Sequence, residues 1–165
     1  MNKLYDFLKS KEIISAMNSG RILDIGSGDG REGLPFEEAG FHVTSIDIKN
    51  GIDAKTYEYP KDEYDIVIAK NSLPFMSDSQ FNVISNAYST LKPGGFFYGT
   101  VFGKDEPWAK LGIITPLDFS ETLDFITHLG FDVIWKCEEK GIGKTMKGEM
   151  KDWHILKFLV KKQTK

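Results

Sequence analysis

Residues 23–31 read LDIGSGDGR, three glycines and two aspartates packed behind a short apolar run. Glycine accepts dihedrals that a side chain forbids and lets a ligand approach the main chain, so Gly26 and Gly28 suit a turn that cradles one. A dinucleotide pyrophosphate wants bare amides in the pattern G-x-G-x-x-G; here Arg31 occupies the third place and Gly30 falls one residue early, the wrong register for NAD. Asp24 and Asp29 make the turn negative. That repels a pyrophosphate and welcomes a ligand with a cationic amine and a sulfonium.

S-adenosylmethionine presents both. Twenty-three residues after Asp24, Asp47 ends the next apolar stretch, FHVTSIDI, where its carboxylate can accept both hydroxyls of a ribose. Farther on, YDIVIAKNSLPF should end at the same edge of the sheet and aim Asn71 and Ser72 toward the methyl group. Asn71 either hydrogen-bonds cofactor or acceptor, or closes a turn with its amide on nearby backbone. His154 is the one histidine with a case as a proton acceptor, because His42 lies at a strand start and His128 near a helix end. A lone histidine in a strand is also a common structural element, and soft nucleophiles need no base if alignment supplies the rate.

The elements that must hold these residues can be read from periodicity. Residues 1–18 carry apolar side chains at helical spacing and predict a leading helix. RILDI at 21–25 is a buried parallel strand, and residues 31–39, with Pro35 in the first turn, are a short helix closed by Gly40. Strands follow at 41–48 and 64–69, with too few residues between them for a crossover helix and its loops. Ser77 and Gln80 form a capping box for a helix that stops at LKPGG. A strand at 96–102 precedes a helix opened by Thr115 and Pro116 and ended by Gly130. Two last strands, 131–137 and 153–160, follow one another through the polar loop 138–152 and should pair antiparallel. The sum is an α/β open sheet, mostly parallel, with an antiparallel C-terminal hairpin and helices on both faces.

In order, LDIGSGDGR, SIDI, YDIVIAKNSLPF and LKPGG resemble the successive motifs of the class I S-adenosylmethionine-dependent methyltransferases, over residues 20–102. FFYGTVFGKDEPWA and KTMKGEMKDWHILKFLVKK are similar to small bacterial methyltransferases grouped near the tellurite-resistance type. The resemblance implies a Rossmann-like sheet with the last strand inserted beside the fifth. It implies that Asp24, Gly26, Ser27 and Gly28 hold the amino-acid end of the cofactor, with Asp47 on the ribose and Ile48 on one face of the adenine. Arg31 matches the arginine after the glycine turn in the tellurite-resistance relatives, and Asp53 with Ala54 matches the acceptor of the adenine amine and its neighbour. Between Asp47 and Tyr64 the chain departs from the pattern, since the usual helix is too short or missing. Residues 72–75, SLPF, match three of four positions of the (Asp/Asn/Ser)-Pro-Pro-aromatic motif that grips a planar amine, with Leu73 in place of a proline.

Composition bounds the rest. The 165 residues suit one domain: a leading helix at 1–19, a cofactor-binding half at 20–102 and an acceptor-side half at 103–165. One cysteine, Cys137, permits no internal disulfide and favours the cytoplasm; charges spaced through the opening stretch deny it a signal peptide's apolar region, and nothing approaches a membrane span. Residues 136–165 hold nine lysines against four acids, but these read as a solvated surface, and no dedicated nucleic-acid motif accompanies them. No metal-ligand spacing, nucleophile elbow or phosphate loop is present, which removes hydrolases and NTPases. A methyltransferase for a small-molecule acceptor is the leading expectation. Its alternatives are a methyltransferase for an amino group of a protein or nucleic acid, and a non-catalytic S-adenosylmethionine-binding module or NAD enzyme. The acceptor pocket is expected from the leading helix, the loop 71–76, the stretch 104–114 and the loop before Trp153, with Trp108 and Trp153 excluding water. Acceptor identity and oligomeric state are left open.

Overall fold

The computed structural model describes residues 3–17 and 19–164. The chain runs α1 (Lys3–Ser10), β1 (Arg21–Ile25), α2 (Leu34–Glu38), β2 (His42–Ile46), β3 (Tyr64–Ala69), α3 (Gln80–Thr90), β4 (Leu91–Phe102), α4 (Pro107–Lys110), α5 (Phe119–Leu129), β5 (Phe131–Lys144) and β6 (Met150–Lys162). The strands form one sheet in the order β2-β1-β3-β4-β6-β5. β1 to β4 are parallel, and β6 lies antiparallel between β4 and β5. This is the expected Rossmann-like architecture with its closing hairpin.

Parallel strands covered on both faces must be apolar almost throughout, and β1 and β3 are the apolar runs of the sequence. On one face Leu23, Val67, Phe97 and Phe158 pack under α3 and α5; on the other Ile22, Ile66, Tyr98 and Leu159 pack under α1 and α2. The chain crosses from one face to the other between β1 and β3. In an open parallel sheet that is where a crevice opens beyond the strand ends, and it holds the glycine turn here.

Several boundaries differ from expectation. The leading helix ends at Ser10 and gives way to turns, with Glu12 in the left-handed region at φ 63°; the expected ends at Met1, Asn2 and Asn18 lie outside the described residues. α2 is five residues long, since 31–33 remain a turn. The segment between β2 and β3 holds a single 3₁₀ turn, Ile48–Asn50, as the short spacing required. The Ser77 to Gln80 capping box does not form: Gln80 starts α3 and its amide donates to the carbonyls of Ser77 and Thr115 at 3.3 and 2.9 Å. LKPGG belongs to β4, because Leu91 already pairs with Tyr64 before an irregularity in the ladder. α5 is capped by Asp118, whose carboxylate accepts the Glu121 N–H at 2.9 Å, and not by Thr115.

The largest departure is at the end of the chain. The expected polar loop 138–152 is mostly strand, so β5 and β6 run on as a two-stranded ribbon to the pair Lys144↔Met150. β4 pairs with β6 only as far as Phe102↔Ile155, and the ribbon continues past that sheet edge.

Candidate active site

β1 ends at Ile25, and the chain turns through Gly26 at φ 69° and Gly28 at φ 59°. A Cβ on Gly26 would stand 2.3 Å from the Cβ of Ser72, so this glycine is required by close approach as well as by conformation. Ser72 fastens the second loop by donating its hydroxyl to the Ile25 carbonyl at 3.0 Å. No atom lies within 4 Å of a Cβ on Gly28, which faces open space.

Asp47 ties the turn to the end of β2. Its Oδ2 accepts the Gly28 N–H at 2.9 Å and its Oδ1 accepts the Lys49 N–H at 2.8 Å. Those amides, Lys49 first and Gly28 second, hold its carboxyl below the usual range, so it stays ionised. Each oxygen keeps a lone pair for another donor.

Asp24 lies two residues before the turn, 2% exposed. Burial, then the neighbouring Glu32 and Asp47 carboxylates, push it up to about 7, while Lys70 opposes them. Its Oδ2 and the Ser27 hydroxyl are buried without a hydrogen-bond partner. Beside them Lys70 and Glu32 form an ion pair at 2.6 Å.

Two hollows meet here. The smaller, about 240 Å³, is lined by Gly26, Asp47, Ile48, Asp53, Ala54 and Asn71, with Ser72 and Phe75 closing it. The larger, about 960 Å³, lies between α1, the end of β4 and the β5–β6 ribbon, with Phe7, Thr100, Trp135 and Trp153 in its walls. Asn71 lines both. It takes φ 54° and is pinned to buried Thr100: its N–H donates to Thr100 Oγ1 at 2.7 Å, and that hydroxyl donates back to Asn71 Oδ1 at 3.1 Å. This gives the Asn71 amide a partner on β4, where a local backbone bond was one of the two expectations.

The family model for a methyltransferase domain matches residues 5–131. The chain belongs to that family. No curated protein matches it in sequence. Among solved structures the methyltransferase is similar to an S-adenosylmethionine-dependent methyltransferase from Methanosarcina mazei, at 17% identity and TM-score 0.72, over 90% of this chain and 95% of that one. A second from Archaeoglobus fulgidus aligns at 15% identity and TM-score 0.69, over 98% and 95% of the two chains. The 1,6-didemethyltoxoflavin N1-methyltransferase of Burkholderia thailandensis, solved with bound 1,6-didemethyltoxoflavin and S-adenosylhomocysteine, aligns at 16% identity and TM-score 0.66, over 98% and 81%. At these identities the likeness speaks for the fold.

The methyltransferase's own residues fit S-adenosylmethionine. The unpartnered buried Asp24 Oδ2 and the unpartnered buried Ser27 hydroxyl, which line neither hollow, can each be matched by an ammonium group, and the ionised Asp47 with free lone pairs by a pair of hydroxyls. Ile48, although 74% exposed, turns an apolar side chain to the smaller hollow. Asp53 uses its Oδ1 to accept the Lys55 N–H at 2.9 Å and shares the same wall with Ala54. Arg31 is directed elsewhere: its guanidinium holds Asp29 at 2.8 Å on the surface and lines neither hollow, so Asp29 adds little net charge to the turn.

His154 is not brought into the site. Successive strand residues point to opposite faces; Trp153, Ile155 and Lys157 line the larger hollow, whereas His154 lies against Phe119 of α5, ring centroids 4.9 Å apart. Its Nδ1 accepts the Asp105 N–H at 3.3 Å, which leaves Nε2 to donate to Glu138 at 3.1 Å. Its backbone N–H donates to buried Glu106 at 3.0 Å. Glu106 also pairs with Lys151, whose ammonium lies 3.5 Å from the Trp153 ring centroid and 4.1 Å from that of Trp108. The stretch 104–114 thus reaches the site through Trp108, which touches Phe75 at 6.1 Å and Trp153 at 5.8 Å between centroids.

Sequence reading missed Glu32, Lys70 and Lys157. Glu32 and Lys70 lie thirty-eight positions apart and meet only through the fold. Lys157 carried a signal: it shares the strand parity of Trp153 and so had to share its face.

Proposed function

We propose that this chain transfers a methyl group from S-adenosylmethionine to a small-molecule acceptor. The observation that carries the reading is the position of Asn71, common to a hollow lined by Gly26, Asp47 and Ile48 and to a larger one on the other side. Bound in the smaller hollow, S-adenosylmethionine supplies an electrophilic methyl group whose transfer returns the carbon–sulfur electron pair to sulfur. Asp24 and Ser27 would hold its ammonium end, Asp47 the ribose, Ile48 the adenine face, and Asp53 with Ala54 the adenine edge. Arg31 would serve the turn by neutralising Asp29. Asn71 would position the reacting groups, and the contacts of His154 support a structural role for it, with no base required.

A hollow of about 960 Å³ falls at the upper end of small-ligand sites and suits an organic acceptor better than a metalloid oxyanion, although the C-terminal segments resemble the tellurite-resistance type. No helix of the described residues is long and apolar enough to cross a membrane, and the single cysteine is in keeping with action in the cytoplasm. The chain would work as one unit, residues 20–102 serving the donor and residues 103–165, with α1, the acceptor.

Calorimetry with S-adenosylmethionine and with NAD tests the donor side, and release of S-adenosylhomocysteine across an acceptor panel tests the reaction. Binding of the first ligand well above the second, with turnover on a small molecule, is expected. Tight NAD binding without response to the methyl donor overturns the reading.

A further inference from the structure

Two ammonium groups flank Asn71 on the acceptor side. Lys70 is its chain neighbour, and Lys157 stands on β6 directly opposite Thr100, the residue to which Asn71 is bonded. Both line the larger hollow. Each has a carboxylate partner, and the partners differ. Glu32 holds Lys70 at 2.6 Å with its side chain only 20% exposed, whereas Glu139 holds Lys157 at 2.9 Å while half exposed. An ion pair as wet as the second contributes little and exchanges readily for a better anion.

The wall also carries a group of aromatic rings, apart from the charged ribbon residues Glu138, Glu139, Lys140 and Lys144. Phe7 of α1 and Trp135 of β5 meet with centroids 4.6 Å apart, Tyr98 of β4 lies 6.1 Å from Phe7, and Trp153 closes the ribbon end of the same hollow. Such a wall favours the face of a planar ring over a flexible chain. Each ammonium is balanced by its own carboxylate, and an anionic ligand that takes the place of Glu139 on Lys157 keeps that balance beside a sulfonium, whereas a cationic one does not.

We propose that the acceptor is a planar aromatic anion, its charged group held by Lys157 and Lys70 and its ring laid on the wall of Phe7, Tyr98 and Trp135. This rests on the methyltransferase reading of the site. An acceptor ionised by its own acidity brings its lone pair to the methyl carbon with no proton to remove. The products are a neutral methylated acceptor and a neutral thioether, so charge balances without a base. That accounts for a site in which neither hollow is lined by a histidine.

The test uses the full chain in two titrations. S-adenosylhomocysteine is titrated first, then the loaded protein is titrated with three isosteres: 2-naphthoate, 2-naphthamide and the ammonium form of 2-(aminomethyl)naphthalene. The expected result is at least tenfold tighter binding of the carboxylate, a preference erased by Lys157→Met and retained by Lys157→Arg, with S-adenosylhomocysteine affinity unchanged within twofold in both variants. Equal or tighter binding of the amide or ammonium form, no binding of the carboxylate, or a preference that survives Lys157→Met overturns the proposal while leaving the donor site intact. Failure of the first titration overturns the methyltransferase reading, and this proposal with it.

Discussion

Asp47 accepts the backbone N–H of Gly28 at 2.9 Å, so one carboxylate both fastens the glycine turn and faces the hollow the turn encloses. Asp47→Ala therefore removes a structural tie and, on the proposed reading, a ligand contact together. Loss of charged hydrogen bonds of this kind costs about 1.5–3 kcal/mol, a tenfold or larger drop in S-adenosylmethionine affinity by calorimetry. A folded variant that binds as tightly as the parent would show that the ribose is held elsewhere.

Gly26 and Gly28 share positive φ but differ in surroundings, and their alanine variants should separate. Gly28→Ala meets no neighbour and carries only the left-handed penalty, roughly 1–2 kcal/mol. Gly26→Ala adds a clash with Ser72, a further 1–3 kcal/mol or so, and parts the two loops. Chemical denaturation should rank Gly26→Ala well below Gly28→Ala. The reverse order would contradict the packing of the turn.

Asp24 should make the free protein pH-sensitive. A carboxyl raised from 3.8 to about 7 by burial stabilises the fold fully below pH 4, and that contribution is lost as pH rises through 7, up to about 4 kcal/mol. Unfolding midpoints at pH 5 and pH 8 should therefore differ more in the parent than in Asp24→Asn. A ligand that brings an ammonium to Asp24 favours its ionised form, so binding at pH 6 should release a proton, seen as a dependence of the calorimetric heat on buffer ionisation enthalpy. No such dependence would place the ammonium elsewhere.

His154→Gln should lower the melting temperature and leave turnover alone. It disturbs the bonds to Asp105 and Glu138 and the packing on Phe119, a loss of about 1–3 kcal/mol. A large fall in kcat with unchanged stability would restore the histidine as a proton acceptor.

Glu106 is completely buried and serves both the His154 amide and Lys151. Glu106→Ala strands an ammonium among Trp108, Trp153 and Phe102 and should cost about 3–5 kcal/mol, read by denaturant titration. Lys151→Met, which leaves an apolar chain in an aromatic setting, should cost less. Equal losses would mean that the pair acts only by filling space.

What could be read in advance follows from where constraint is local. β1 and β3 were legible because a strand buried on both faces has nearly no choice but apolar residues, and Asp24, Gly26 and Asp47 because the turn that needs them is contiguous with those strands. The ribbon was not. β5 is exposed along most of its length, so its side chains need not alternate and its polar outer half reads as a loop. The α3 cap failed for a related reason: Ser77 takes φ 50° in a 3₁₀ turn, and Gln80 is claimed by Thr115, thirty-five residues away. His154 and Lys157 were separable by parity alone, but parity decides a role only once one face is known to border a hollow.

On the proposed reading the donor side draws on residues 24–72 and the acceptor side on α1, the end of β4 and the terminal ribbon, and Lys70 and Asn71 with Thr100 are where they join. On that division the ribbon can be changed separately from the glycine turn. Substitutions along its inner face would then retune which compound is methylated while the glycine turn and its aspartates stay as they are, so a new acceptor need not cost the donor.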